Sequence, residues 1–179
     1  MSDATADVFF YGLFMDDDIL RDQGICPRAR RKAVVPGYRL AIGRRAMLLP
    51  QFGAQAFGMV FTLAEAEIST LYAGAGLELY RAQSVTAWLE DGTLAAVTTF
   101  NLREAPAVGE SNLEYAGRLR DVLERLGFPA EYIRSIGCTL AAPLDYQVAR
   151  PEEGFSKSQF HEATMDPTLS VAACRPPLP

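Results

Sequence analysis

Residues 80–102, "YRAQSVTAWLEDGTLAAVTTFNL", constrain the fold of this chain more than any other stretch. Two runs rich in valine, threonine and aromatic residues flank Asp91-Gly92, and an Asp-Gly pair between such runs is the strongest two-residue hairpin signal. The chain must therefore build a sheet.

Other segments supply candidate partners. Residues 8–11, "VFFY", read as a buried strand ending at Gly12. The stretches 33–43, "AVVPGYRLAIG", and 46–50, "AMLLP", read as strands separated by turn residues. Residues 56–63, "AFGMVFTL", form a further strand in which Gly58 marks a bulge or a close backbone contact. Between them lie short helices. "MDDDILRDQG" places aspartates near a helix start, where they favour the macrodipole, with Gly24 as the stop. A second helix has Leu63, Ile68, Leu71 and Tyr72 at helical spacing and Thr62 as its expected N-cap. The clearest helix runs from Asn112 to Leu126, with Leu113, Ala116, Leu119, Val122, Leu123 and Leu126 on one stripe and Gly127 at its end. "PAEYIRSIG" opens with proline and reads as a shorter one.

At 179 residues the chain suits a single domain. The pattern assigns 1–144 to that domain and 145–179 to a polar, proline-ended tail. No run approaches the ~18 apolar residues that span a bilayer. "MSDATAD" lacks the basic-then-apolar order of a secretory leader, so a cytoplasmic location is expected. The net charge of −5 argues against nucleic acid as a partner, because that binding rests on basic contacts to phosphate. The one basic cluster, "RARRK" at 28–32, is expected to be a solvated loop. Cys26, Cys138 and Cys174 are irregularly spaced and His161 is the sole histidine, a set that fits neither a disulfide framework nor a zinc site. Neither a metal nor a Ser-His or Cys-His nucleophile is expected.

Three segments, in this order, resemble the gamma-glutamylcyclotransferase family and its AIG2-like relatives. "FFYGLFM" looks like the family's opening strand and its YGS or YGT loop. "AFGMVFTL…ISTLYAGAGLELYRAQSVTAWLEDG" is similar to the segment G-x-V-[FY]-x-L … L-D-x-x-E-G … Y-R-x-x-x-V. "SNLEYAGRLRDVLERLGFPAEYIRSI" looks like the helix pair of the glutathione-pathway members. The resemblance covers residues 8 to about 137. It implies an α+β fold, a small mixed β-barrel with a few flanking helices, and the strand-rich order read above agrees.

The resemblance also implies a reaction. Family members release 5-oxoproline from a gamma-glutamyl amine or peptide: the substrate's own α-amino group attacks its γ-carbonyl and expels the amine. The nucleophile lies within the substrate, so the enzyme chiefly folds it for attack. No cofactor is required. A carboxylate must take the α-ammonium proton and deliver one to the leaving nitrogen, and fixed N–H donors must face the oxyanion. In the family the YG loop binds the gamma-glutamyl group, which points to Tyr11, Gly12, Leu13 and Phe14, together with Tyr80, as the substrate site. Two departures follow. Leu13 stands where a hydroxyl residue is usual, and matching L-D-x-x-E-G onto 71–76 puts Ala75 at the catalytic glutamate position. Glu78 is the nearest carboxylate; three extended residues span about 10 Å, but the "AGAG" run can re-route the turn. Glu78 is therefore the candidate base. The competing reading is a non-catalytic relative that binds a small anionic metabolite or a partner, with Glu78 an exposed charge, Tyr11 and Tyr80 structural aromatics, and Tyr115 packing on its helix. The sequence leaves the oligomeric state open.

Overall fold

The computed structural model of the protein describes residues 4–74, 76–107 and 109–137. The proposed boundary at residue 144, the tail 145–179, Ala75, Cys138, Cys174 and His161 lie outside the described residues. Five strands close into a barrel: β1 (Thr5–Phe10), β2 (Arg28–Ile42), β3 (Ala46–Ala64), β4 (Arg81–Leu89) and β5 (Leu94–Asn101). Their spatial order is β1-β3-β2-β4-β5, antiparallel throughout except where β1 meets β5 in parallel through Val8↔Thr98 and Phe9↔Thr99. With the helices α1 (Asp17–Asp22), α2 (Glu65–Tyr72), α3 (Leu113–Arg125) and α4 (Ala130–Ser135) this is the α+β, mixed-barrel architecture that the resemblance implied.

The unbroken apolar run at 8–11 has a simple cause: both faces of β1 are buried. Phe9 and Tyr11 join Val35, Leu48, Val60, Val85, Ala87 and Val97 in one cluster drawn from all five strands, the barrel interior. Val8 and Phe10, on the opposite face, pack with Phe61, Leu119, Leu123 and Ile133 beneath the helices. Period-two alternation thus divides one strand between two cores. Among the described residues no helix is long and apolar enough to cross a membrane.

The hairpin forms as expected, with one difference. Gly92 N–H donates to Leu89 O at 2.9 Å and Leu89 N–H to Thr93 O at 2.8 Å, so the loop has three residues, Glu90 to Gly92, rather than two. Gly92 takes the left-handed conformation (φ 82°) that such a loop requires. Elsewhere the strands are longer than the turn residues suggested. β2 continues through Pro36, with a register shift between Pro36 and Tyr38, and β3 continues through Pro50 and Gly53. "RARRK" is not a loop but the start of β2, where Arg31 forms an ion pair with Asp7 at 2.8 Å. Thr62 does not cap α2; it lies within β3 and donates to Asp7, while Glu67 receives the N–H groups of Ala64 (2.8 Å) and Cys26 (2.9 Å).

The aspartate run opens α1 as expected, and its first residue also has a structural part. Asp16 is buried, accepts from Asp18 N–H and pairs with Arg125 at 2.8 Å, which ties α1 to α3. Asn112 caps α3 by accepting from Tyr115 N–H at 2.9 Å. Ala116, Leu119, Val122 and Leu123 of its stripe are buried, but Leu113, in the first turn, is 73% exposed. α4 follows Pro129, as read from the sequence.

Candidate functional site

Where β1 leaves the barrel, the chain turns through a single 3-10 turn, Leu13–Met15, closed by Met15 N–H to Gly12 O at 3.0 Å. Behind that turn lies a cavity of about 310 Å³. Tyr11, Gly12, Leu13, Phe14 and Tyr80 all line it, together with Arg44, Arg45, Tyr72, Leu77, Phe100, Tyr115 and Arg118. Residues far apart in sequence converge because β1, the β2–β3 turn, the 76–79 turn and α3 meet at this end of the barrel.

The wall is largely aromatic and is locked by hydrogen bonds. Tyr72 stacks on Phe100 with ring centroids 3.7 Å apart. Tyr11 Oη donates to Phe100 O at 2.8 Å and Tyr80 Oη to Ala46 O at 2.7 Å, so both rings are held by backbone. Asn101 supports Tyr11 from behind. Its Oδ1 accepts from Tyr11 Oη (3.3 Å), Leu48 N–H (2.9 Å) and Leu102 N–H (3.1 Å), and its Nδ2 donates to Leu48 O (2.9 Å).

Tyr115 does more than the packing its helix position suggests. Its hydroxyl accepts from Leu13 N–H at 3.3 Å, a contact across 102 residues of sequence. Gly12 is required beside it, since a Cβ there would stand 2.5 Å from that hydroxyl. With its oxygen accepting from the turn, the Tyr115 O–H proton is available to a ligand. The N–H groups of Gly12 and Phe14 have no hydrogen-bond partner among the described residues. Burial pushes the Tyr11, Tyr72, Tyr80 and Tyr115 hydroxyls above the ordinary tyrosine range, so they remain neutral donors at physiological pH.

The electrostatics are one-sided: three guanidiniums, and no carboxylate among the described lining residues. Glu78 is exposed on the 76–79 turn and does not line the cavity. Its own backbone N–H, then the Gly76 N–H and the Arg45 guanidinium, hold its carboxyl below the usual range against slight desolvation. It therefore sits at the rim, next to Leu77 and beside Arg45. The structure brings together the five predicted binding residues and leaves Glu78 outside them. Sequence reasoning missed Arg44, Arg45, Arg118 and the role of Tyr115; the only local signal was a pair of arginines directly after Gly43.

No protein-family model matches the sequence, and no curated protein matches it either. Solved structures do. A gamma-glutamyl cyclotransferase superposes with a TM-score of 0.60 at 15% identity, covering 83% of this chain and 95% of that one. A yeast gamma-glutamyl cyclotransferase described as specific to glutathione gives a TM-score of 0.53 at 11% identity, covering 74% and 96%. An Arabidopsis thaliana protein gives 0.52 at 25% identity, covering 72% and 97%. At such identities the likeness is one of architecture, and the chain carries the gamma-glutamyl cyclotransferase fold.

Proposed function

We propose that the chain takes a gamma-glutamyl amine or peptide into the cavity behind the 11–14 turn and releases 5-oxoproline from it. The observation that carries this reading is the convergence of Tyr11, Gly12, Leu13, Phe14 and Tyr80 on one cavity whose described lining offers N–H donors and guanidiniums and no carboxylate. A gamma-glutamyl group presents an α-carboxylate and a γ-carbonyl, and the site offers donors for both. Arg45 or Arg118 neutralises the carboxylate, and the N–H groups of Gly12 and Phe14 with the Tyr115 hydroxyl meet the carbonyl oxygen.

In the reaction the α-ammonium loses a proton and its nitrogen lone pair attacks the γ-carbonyl carbon. The tetrahedral intermediate then collapses as the bond to the amine breaks, and the departing nitrogen takes up a proton. No water is consumed. Glu78 is the proposed carrier of that proton. This role requires its carboxylate to turn from the rim toward the cavity and leave its own backbone N–H, the Gly76 N–H and Arg45, a change that would also raise its basicity. In a 5-oxoproline release assay, Glu78→Gln is expected to lower kcat by about 100-fold, the scale of one lost general base. Undiminished turnover removes Glu78 from the mechanism.

One observation favours a second reading. Because no carboxylate lines the described cavity, the site is equally suited to binding a gamma-glutamyl compound without cyclising it. Saturable binding with no 5-oxoproline formed from any gamma-glutamyl compound selects that reading over the first.

A further inference from the structure

Past Val34, β2 loses one of its two neighbours. Ala33 and Val34 pair with both β3 and β4, whereas residues 38–42 pair with β3 alone, from Tyr38↔Pro50 to Ile42↔Ala46. In an antiparallel ladder alternate backbone groups point away from the partner strand. Those of 38–42 meet no backbone partner among the described residues. Such an edge is a template for a further extended segment. Here the edge is one wall of a groove, with Leu113 and Ala116 of α3 and Ser135 and Gly137 at the end of α4 forming the other. Leu113, the exposed member of the α3 stripe, belongs to this groove. The described chain ends there too. Gly137 takes the left-handed conformation (φ 82°), and a Cβ on it would stand 3.1 Å from Ala116 Cβ and 2.9 Å from Arg120 Nη2. Arg120 Nε in turn donates to Ile136 O at 3.1 Å, so α3 fixes the point at which the chain leaves α4.

The sequence that follows Gly137 is "CTLAAPL", 138–144, an uncharged run closed by Asp145. In extended form Cys138, Leu140, Ala142 and Leu144 share one apolar face. Seven extended residues span about 23 Å, against about 17 Å for the five edge positions, so the length suffices. We propose that residues 138–144 are the occupant of this groove: they add as an extended segment along the 38–42 edge of β2, turn their apolar face toward Leu113, and complete the domain. Pro143 has no N–H to give and closes the paired stretch. Charge agrees with the placement. Arg39, on the groove wall, takes part in none of the ion pairs among the described residues, and Asp145 is the first carboxylate beyond the run. The segment then braces the start of α3, which carries the Asn112 cap and the Tyr115 hydroxyl that accepts from Leu13 N–H. This docking holds whichever ligand the cavity takes.

The test is residue-resolved amide hydrogen exchange on the full 15N-labelled chain, with methyl contacts read from the same protein labelled with 13C. In the wild type the N–H groups of 139–142 and the outward-facing ones of 38–42 are expected to exchange at least about 100-fold more slowly than in an unstructured peptide. The Leu140 methyls are expected to contact Ile42 or Leu113. Leu140→Asp, which puts a charge on the apolar face, is expected to reduce the protection of both sets about tenfold or more. Phe160→Asp, beyond the segment, leaves it unchanged. The wild-type rates and contacts decide the matter even if Leu140→Asp loses its fold. Free-peptide exchange at 139–142, absence of contacts from Leu140 to the groove, or edge protection that survives Leu140→Asp overturns the docking. Edge protection that rises with protein concentration while 139–142 exchange freely assigns the edge to a second copy instead, and overturns it equally.

Discussion

Gly58→Ala is expected to destabilise the protein by about 3–4 kcal/mol, enough to remove a large part of the stability of an ordinary domain. The cause is backbone, not side chain. A Cβ at Gly58 would stand 2.2 Å from Phe10 O and 2.7 Å from two ring carbons of Phe9. Phe10 is paired to Met59 in the β1–β3 ladder, so its carbonyl yields only if the strand pair opens. Phe10 also immediately precedes Tyr11-Gly12, and the same displacement moves the cavity wall. Chemical denaturation of wild type and variant checks the size of the effect; a loss below about 1 kcal/mol contradicts the close approach.

Asn101→Leu is expected to cost about 3–5 kcal/mol although the side chain keeps its branching and its number of heavy atoms. Leucine leaves the Leu48 N–H, the Leu48 carbonyl and the Leu102 N–H without the partners they have now, and each buried orphan costs about 1–3 kcal/mol. These bonds join the end of β5 to β3 across the barrel, where the two strands are not neighbours in the ladder. The substitution also removes one of the two acceptors of Tyr11 Oη. Stability and ligand affinity should fall together. Asn101→Asp, which keeps the acceptor and loses the donor, is expected to lie between the two, and an Asn101→Leu variant as stable as wild type contradicts the bridge.

Both predictions concern features that local sequence logic reads unequally. Gly58 was legible as a close contact, because a glycine inside an otherwise apolar strand has few other reasons to be there. The hairpin was legible from Asp91-Gly92, and α3 from its stripe. Pro50 read as a strand end, yet a proline only removes a donor, and a long strand passes through where the ladder does not need that N–H. The basic run 28–32 read as a loop because its charges are not apolar. Within β2 the alternate side chains face solvent or Asp7, so charge is compatible with a strand there. Asn101 and Tyr115 were illegible for one shared reason: each acts on a residue 53 or 102 positions away, and their partners are backbone groups that carry no side-chain signature. Tyr11, Gly12, Leu13, Phe14 and Tyr80 were reachable as the lining of one cavity because the resemblance put them on one loop and one strand edge. The arginines were not, since the β2–β3 turn meets the 11–14 turn only once the barrel closes.

The central claim is that the turn at Gly12 to Phe14 holds a gamma-glutamyl group. Titration of the 15N-labelled protein with gamma-glutamyl-glycine, followed by amide chemical shifts, addresses it directly. The account predicts saturable shifts that are largest at the N–H groups of Gly12, Leu13 and Phe14, with smaller ones at Arg45 and Tyr80, and their loss in Gly12→Ala, where the added Cβ displaces the Tyr115 hydroxyl. Saturable shifts confined to other surfaces, or no shift at those amides at millimolar ligand, would contradict it.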